Sequence, residues 1–143
     1  MKTPLFLCLV VAAVAGVAFS EKDQRAEEAT VEKRLTGKWL GVSGHWGKEN
    51  PAAASRNFTF MTNRQFKASI GNETITGNYR ITVTNKPFQI DFTFEFKGKK
   101  ATTLTIFDFP KENHLRIAEW DPNWRRKRFR PGITFKKKAS SNK

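Results

Sequence analysis

The fold of this chain is decided by residues 88–96, which read FQIDFTFEF. Apolar residues occupy every second position, and polar residues occupy the positions between them. Residues 75–83, ITGNYRITV, follow the same alternation. A period of two with one apolar face is typical of antiparallel strands that are buried on one side and wet on the other.

Further runs with strand character flank these two and are separated from one another by turn signals, among them Asn63-Arg64 and Gly71-Asn72. They lie at residues 38–43, 57–62, 65–70, 101–107, 114–120 and 133–137. The pattern predicts an all-β fold, a single antiparallel lipocalin-like barrel of about eight strands over residues 35–138. The polar tail, residues 139–143, is expected to fray.

The first twenty residues have the pattern of a signal peptide. Lys2 supplies a positive start, residues 5–18 form an apolar stretch too short to span a bilayer comfortably, and Ala18-Phe19-Ser20 offers a cleavage site. We expect cleavage near Ser20 and a secreted or periplasmic protein. The only cysteine, Cys8, lies in the segment that is removed, so the exported chain must fold without a disulfide.

Residues 21–34 are rich in charge and contain neither Gly nor Pro, and a thin apolar stripe runs through them. This pattern predicts a short N-terminal helix that leads into the barrel, with a disordered linker as the alternative.

An ordered set of residues resembles the small lipocalin-like domain family found in planctomycete secreted proteins, whose function is uncharacterised. The set comprises Leu35-x-Gly37-x-Trp39, Gly47, Pro51, Phe58-Thr59-Phe60, Phe66, Gly77-x-Tyr79, Lys86-Pro87, Ile90-Asp91, Leu115-Arg116-Ile117, Arg130-Pro131 and Phe135.

This resemblance covers residues 35–135. It implies a fold but no activity, cofactor or catalytic residue. It implies structural roles, in turns and core, for Gly37, Trp39, Gly77, Tyr79 and Pro131. The Gly-x-Trp opening is also similar to the first strand of lipocalins at large, in which the Trp closes the barrel floor.

The chain departs from the family pattern in two places. Thr105 stands where the family tends to have Gly, and the link between the seventh and eighth strands is unusually basic. Within that link, residues 124–130, here called the basic segment, read WRRKRFR. The chain as a whole carries a formal net charge of +13, which predicts anionic neighbours.

The basic segment is the candidate binding site. Arginine forks and a stacking indole suit phosphates and other polyanions, so lipid head groups, lipopolysaccharide and nucleic acid are the candidate partners. The alternative is a solvated hairpin whose charges keep a sheet edge from pairing with other chains. The candidate residues are Trp124, Arg125, Arg126, Lys127, Arg128 and Arg130.

The many Phe residues permit a second hypothesis, a carrier that holds a small apolar ligand inside the barrel. An eight-stranded barrel is only just wide enough for side chains to fill it, and we favour a packed core. The sequence therefore predicts an exported, non-enzymatic binding or structural module of unknown ligand.

The sequence contains no pattern typical of a catalytic or metal site. His45 and His114 stand far apart in sequence without a cysteine or carboxylate motif beside them. Asp91 and Glu95 lie on one strand face, about 13 Å apart by strand rise, too far for a carboxylate dyad. Nucleophile elbows and Gly-rich phosphate loops are absent from the sequence. We expect no enzyme activity, no cofactor and no metal.

Overall fold

The computed structural model describes residues 20–46 and 53–140. Over these residues one helix, α1 (Glu21–Leu35), precedes eight strands that close into an antiparallel barrel in chain order. The strands are β1 (Gly37–His45), β2 (Arg56–Phe60), β3 (Gln65–Ile70), β4 (Glu73–Thr82), β5 (Phe88–Phe96), β6 (Lys99–Asp108), β7 (His114–Ala118) and β8 (Gly132–Lys137). A single 3-10 turn, Ala53–Ser55, precedes β2. The predicted eight-stranded all-β barrel is confirmed.

The two ends of the barrel differ. The lower end, where β1 begins, is covered by α1, which buries Val31 and Leu35. The upper end is the one where β1, β3, β5 and β7 finish. Two long connections start from the upper end, one from β1 to β2 and the other from β7 to β8.

Residues 21–34 are helical rather than a linker. Ser20 caps the helix, because its side chain accepts a hydrogen bond from the backbone nitrogen of Asp23 at 3.3 Å. On the outer side of the helix, Glu28 and Glu32 pair with Arg64 in the turn between β2 and β3.

The predicted signal peptide, apart from Ser20, lies outside the described residues. Gly47 and Pro51 of the proposed family pattern and the end of the polar tail lie outside them as well.

Six of the eight strands have bounds that differ from the sequence-based expectation by one or two residues, among them β6 and β7. Strand β6 begins two residues before the expected residue 101, because the turn that precedes it consists of Lys97 and Gly98 alone, whose φ angles of 51° and 76° suit a two-residue hairpin loop. Lys99 and Lys100 therefore belong to β6. Strand β7 ends at Ala118 and not at residue 120, and the basic link begins there.

The shortest ladder of the barrel joins β6 and β7. It has two residue pairs, supplemented by an isolated bridge between Leu104 and Asp121. The buried hydroxyl of Thr105 spans the gap and donates a hydrogen bond to the carbonyl of Ala118 at 2.8 Å. A glycine at position 105 could not supply this hydrogen bond.

Trp39 lies at the lower end of the barrel with 1% of its surface exposed. Its indole Nε1 donates to the carbonyl of Leu35 at 2.7 Å, which ties the end of α1 to β1. The ammonium of Lys137 lies 5.2 Å from the centre of one of its rings. Gly37, two residues earlier, has a φ of +128°, which side chains of L residues rarely adopt.

The other residues with expected structural roles also occupy tight positions. A Cβ at Gly77 would stand 2.1 Å from the carbonyl oxygen of Thr93 on the neighbouring strand, so no larger residue fits. Tyr79 is buried edge-on against Phe60. Pro131 follows a cis peptide bond and accepts a hydrogen bond from the backbone of Glu119.

Candidate functional site

Aromatic rings in mutual contact occupy the interior of the barrel. Ring centroids of Phe66 and Phe92 lie 4.8 Å apart, those of Phe92 and Trp120 lie 4.7 Å apart, and those of Trp120 and Trp46 lie 5.3 Å apart. Phe58 packs against all four of these residues. Each buried ring of this size stabilises the fold by about 1.5–3 kcal/mol, and the chain has no disulfide to replace that contribution.

The basic segment does not form a hairpin. After β7 the chain reaches Asp121, whose carboxylate accepts hydrogen bonds from the backbone nitrogens of Asn123 and Trp124 at 2.8 and 3.2 Å. This local turn redirects the chain. The segment then runs along the outer wall of β5 and β6, and returns to the barrel at Pro131.

Arg125 fastens the segment to that wall. Its guanidinium donates to the carbonyl of Thr105 at 2.6 Å and to that of Ile90 at 3.4 Å, and it pairs with Asp91. The side chain is only 22% exposed. Arg125 therefore anchors the basic segment to the barrel, a role that the sequence pattern alone could not distinguish from ligand binding.

Arg126 is held in a similar way. Its Nη2 pairs with the carboxylate of Glu119, and its guanidinium carbon lies 4.8 Å from the centre of a Trp124 ring. Because the charges of Arg125 and Arg126 are balanced by acids of this chain, neither is free for a phosphate. The predicted set of six residues thus divides into two anchors and four remaining side chains.

The four remaining side chains of the basic segment face water. Trp124 is 50% exposed, and Lys127, Arg128 and Arg130 are exposed as well. None of these three cations makes an ion pair or hydrogen bond through its side chain to another described residue. All four side chains border one groove of about 260 Å³.

Two further grooves flank the segment. One, of about 370 Å³, runs between residues 125–127 and the start of β5, where Lys86 of the preceding connection and Gln89 of β5 line it. The other, of about 750 Å³, lies on the outer face of β1 and β8 beneath Phe129 and Pro131. Grooves therefore lie on both sides of the basic segment on the outer wall of the barrel.

Further arginines extend the positive wall. Arg80 on β4 is 76% exposed and lies 3.7 Å from Asp91, which Arg125 already holds. Arg116 on β7 pairs with Asp108 and stacks 4.1 Å over the ring of Phe129. The hydrogen bonds that Arg116 donates to the Asp108 carboxylate raise the pKa of Arg116 above its ordinary value, and the partial burial of the guanidinium opposes this.

One charged residue inside the barrel escaped the sequence analysis. Arg56 is the first residue of β2 and is 2% exposed, with its guanidinium 4.6 Å from the centre of a Trp46 ring. Burial lowers its pKa, and the nearby Glu119 carboxylate acts in the opposite direction. The alternation Arg56-x-Phe58-x-Phe60 could have revealed it, since all three side chains point inward.

The two histidines lie in different surroundings. His45 is exposed at the end of β1, and the Nδ1 of His114 lies 2.9 Å from the carbonyl of Glu112. Within residues 20–46 and 53–140 there is no group of three or more His, Cys, Asp or Glu side chains placed to hold a metal ion.

Comparison with family models, with curated proteins and with solved structures finds no match. The resemblance to the planctomycete lipocalin-like family thus remains a prediction from the residues. In the part of the chain that the structure describes, no helix is both long and apolar enough to cross a membrane.

Proposed function

We propose that this chain is an exported, non-enzymatic binding module that docks on a polyanion through the outer wall of its barrel. The contact residues are Lys127, Arg128 and Arg130, with Trp124 beside them. The partner is a macromolecule or surface with repeated phosphate or sulfate groups. Export rests on the signal-peptide pattern of the first twenty residues.

A single observation carries the proposal: three exposed cations and a half-exposed indole share one groove on a segment that is itself fastened to the barrel. Arg125 and Arg126 anchor the segment at its start. A segment held in place loses less conformational entropy on binding than a free loop would lose. Exposed cations can release counterions from a phosphate chain, and Trp124 can stack on a base or lie against a sugar or lipid.

The packing of the interior argues against the alternative of an apolar ligand carried inside the barrel. Phe66, Phe92, Trp120 and Trp46 are in ring-to-ring contact through the space that such a ligand would need. The four remaining side chains of the basic segment, by contrast, already face water.

The test is elution from immobilised heparin. The variant Lys127→Ser, Arg128→Ser, Arg130→Ser is compared with a control that loses the same charge elsewhere, Lys38→Ser, Lys67→Ser, Lys111→Ser. All six side chains are exposed, so both variants should fold. We expect the first variant to elute at clearly lower salt than the control. Equal elution of the two would mean that only net charge matters and that the basic segment is not a site.

The same pair of variants distinguishes the classes of partner. Co-sedimentation with vesicles that contain one third anionic lipid measures binding to head groups, and fluorescence anisotropy with duplex DNA measures binding to nucleic acid. A variant that fails on all three probes relative to the control indicates general recognition of polyanions. A loss confined to vesicles identifies a lipid surface as the partner.

A further inference from the structure

Arg56 is an unusual residue to find inside a barrel of aromatic side chains. It lies at the upper end, and 2% of its surface is exposed. Its Nε and Nη2 are both buried and have no hydrogen-bond partner among the described residues. An unpaired charge in such a place destabilises a protein strongly, so a buried guanidinium without partners calls for a ligand or ion.

The two unpaired nitrogens of Arg56 lie on the same edge of its guanidinium group. Nε and Nη2 carry the two N–H groups that point in parallel from one edge of the guanidinium plane. This edge is the one that binds both oxygens of a carboxylate at once. The guanidinium carbon lies 4.6 Å from the centre of a Trp46 ring, and this contact holds the guanidinium beside the indole.

A third unpaired donor lies in the same cluster. The indole Nε1 of Trp120 is buried without a hydrogen-bond partner among the described residues, and the Trp120 ring packs against Trp46 as Arg56 does. The indole of Trp46, by contrast, is satisfied by the carbonyl of Ile117 at 3.2 Å. Two side chains that touch one common ring thus both carry buried N–H donors without partners.

The chain itself does not supply that acceptor from its described residues. Glu119 is close enough to act on Arg56 electrostatically, but its hydrogen bond goes to Arg126 on the outer wall. The cluster therefore has donors and a positive charge, and the carboxylate of Glu119 is already paired with Arg126.

We propose that the upper end of the barrel is a binding site for a small organic carboxylate, held by the Nε and Nη2 edge of Arg56 and by Trp120 Nε1. The ligand is small, because the aromatic rings below the site fill the barrel. This site is distinct from the basic segment and does not depend on the polyanion proposal.

The experiment is a titration of the intact protein with sodium hexanoate, followed by the side-chain N–H resonances of arginine and tryptophan in two-dimensional NMR spectra. Hexanol and inorganic phosphate are titrated in parallel. We expect hexanoate to shift the Arg56 Nε and Trp120 Nε1 resonances saturably, with the Trp39 indole unmoved. Hexanol and phosphate should bind at least tenfold more weakly. Unmoved Arg56 and Trp120 resonances, or equal shifts with hexanol, would overturn the proposal, and equal binding of phosphate would overturn the carboxylate class.

Two variants complete the test. Arg56→Met keeps the length of the side chain and removes the donors, whereas Arg80→Met removes an arginine that is 76% exposed. Arg56→Met should lose hexanoate binding at least tenfold and should unfold at the same temperature as the wild type or higher, because it removes an unpaired buried charge. Arg80→Met should bind as the wild type does. Retained binding in Arg56→Met would refute the site, and the wild-type titrations decide the question if that variant fails to fold.

Discussion

Replacement of Trp39 tests how the lower end of the barrel is held together. The indole is 1% exposed, and its Nε1 donates to the Leu35 carbonyl at 2.7 Å. Trp39→Ala removes the buried ring and leaves a cavity, a change that costs about 3–5 kcal/mol. The carbonyl of Leu35 also loses its donor, which adds about 1 kcal/mol. Trp39→Phe keeps most of the apolar contact and loses the donor, so we expect about 1–2 kcal/mol for it.

The assay is urea unfolding followed by circular dichroism, with Trp124→Ala as the control. Trp124 is 50% exposed, so its loss should change the free energy of unfolding by less than about 0.5 kcal/mol. With a urea dependence of about 1.5 kcal/mol per molar, Trp39→Phe shifts the midpoint by about 1 M and Trp39→Ala by more than about 2 M. If Trp39→Ala lowers stability by less than about 1 kcal/mol, or no more than the Trp124 control does, Trp39 does not hold the barrel and the reasoning is refuted.

Three further predictions concern other parts of the molecule. Burial raises the pKa of Tyr79, the only tyrosine, to about 12, and Glu32 adds to the effect. The absorbance of Tyr79 should therefore titrate near pH 12 in the folded protein and near pH 10 in urea, and the free energy of unfolding should fall across this interval because the unfolded chain ionises first. A folded-state transition near pH 10 would contradict the burial of Tyr79. Arg125→Ala should lower the free energy of unfolding by about 1–3 kcal/mol and Arg128→Ala by less than about 0.5, and comparable losses in urea titrations would show that Arg125 is not an anchor. The secreted protein should have an intact mass that corresponds to a chain starting near Glu21, whereas an abundant soluble form that retains residues 1–20 would refute export.

The fold could be predicted from the sequence because alternation acts locally. Residues 88–96 form a strand with the bounds that the pattern predicts, since every second side chain there is apolar and the neighbouring turns stop the strand at both ends. The end of β7 was not predictable in the same way. Ala118 ends it because Pro131, which lies opposite Glu119, accepts a hydrogen bond from Glu119 but has no N–H to return one, and that pairing depends on the path of a long connection.

The candidate site could be predicted only in part, for a physical reason. The sequence shows that residues 124–130 are basic, but it cannot show which cations already have partners. Arg125 and Arg126 are balanced by Asp91 and Glu119, and the first of these acids is 34 positions away in sequence. Arg56 was missed because a single arginine before a strand carries no signal until its alternation with inward-facing Phe residues is considered.

The salt dependence of binding to duplex DNA tests the proposed polyanion site most directly. Each phosphate neutralised by a cation contributes about 0.9 to the slope of the logarithm of affinity against the logarithm of salt concentration. If Lys127, Arg128 and Arg130 each contact a phosphate, replacing all three with Ser should make the slope shallower by about 2.7. The charge-matched control, with Lys38, Lys67 and Lys111 replaced by Ser, should keep a slope within about 0.5 of that of the wild type. Equal slopes for the two variants would contradict the proposal, because the positive charge would then act diffusely and not through the basic segment.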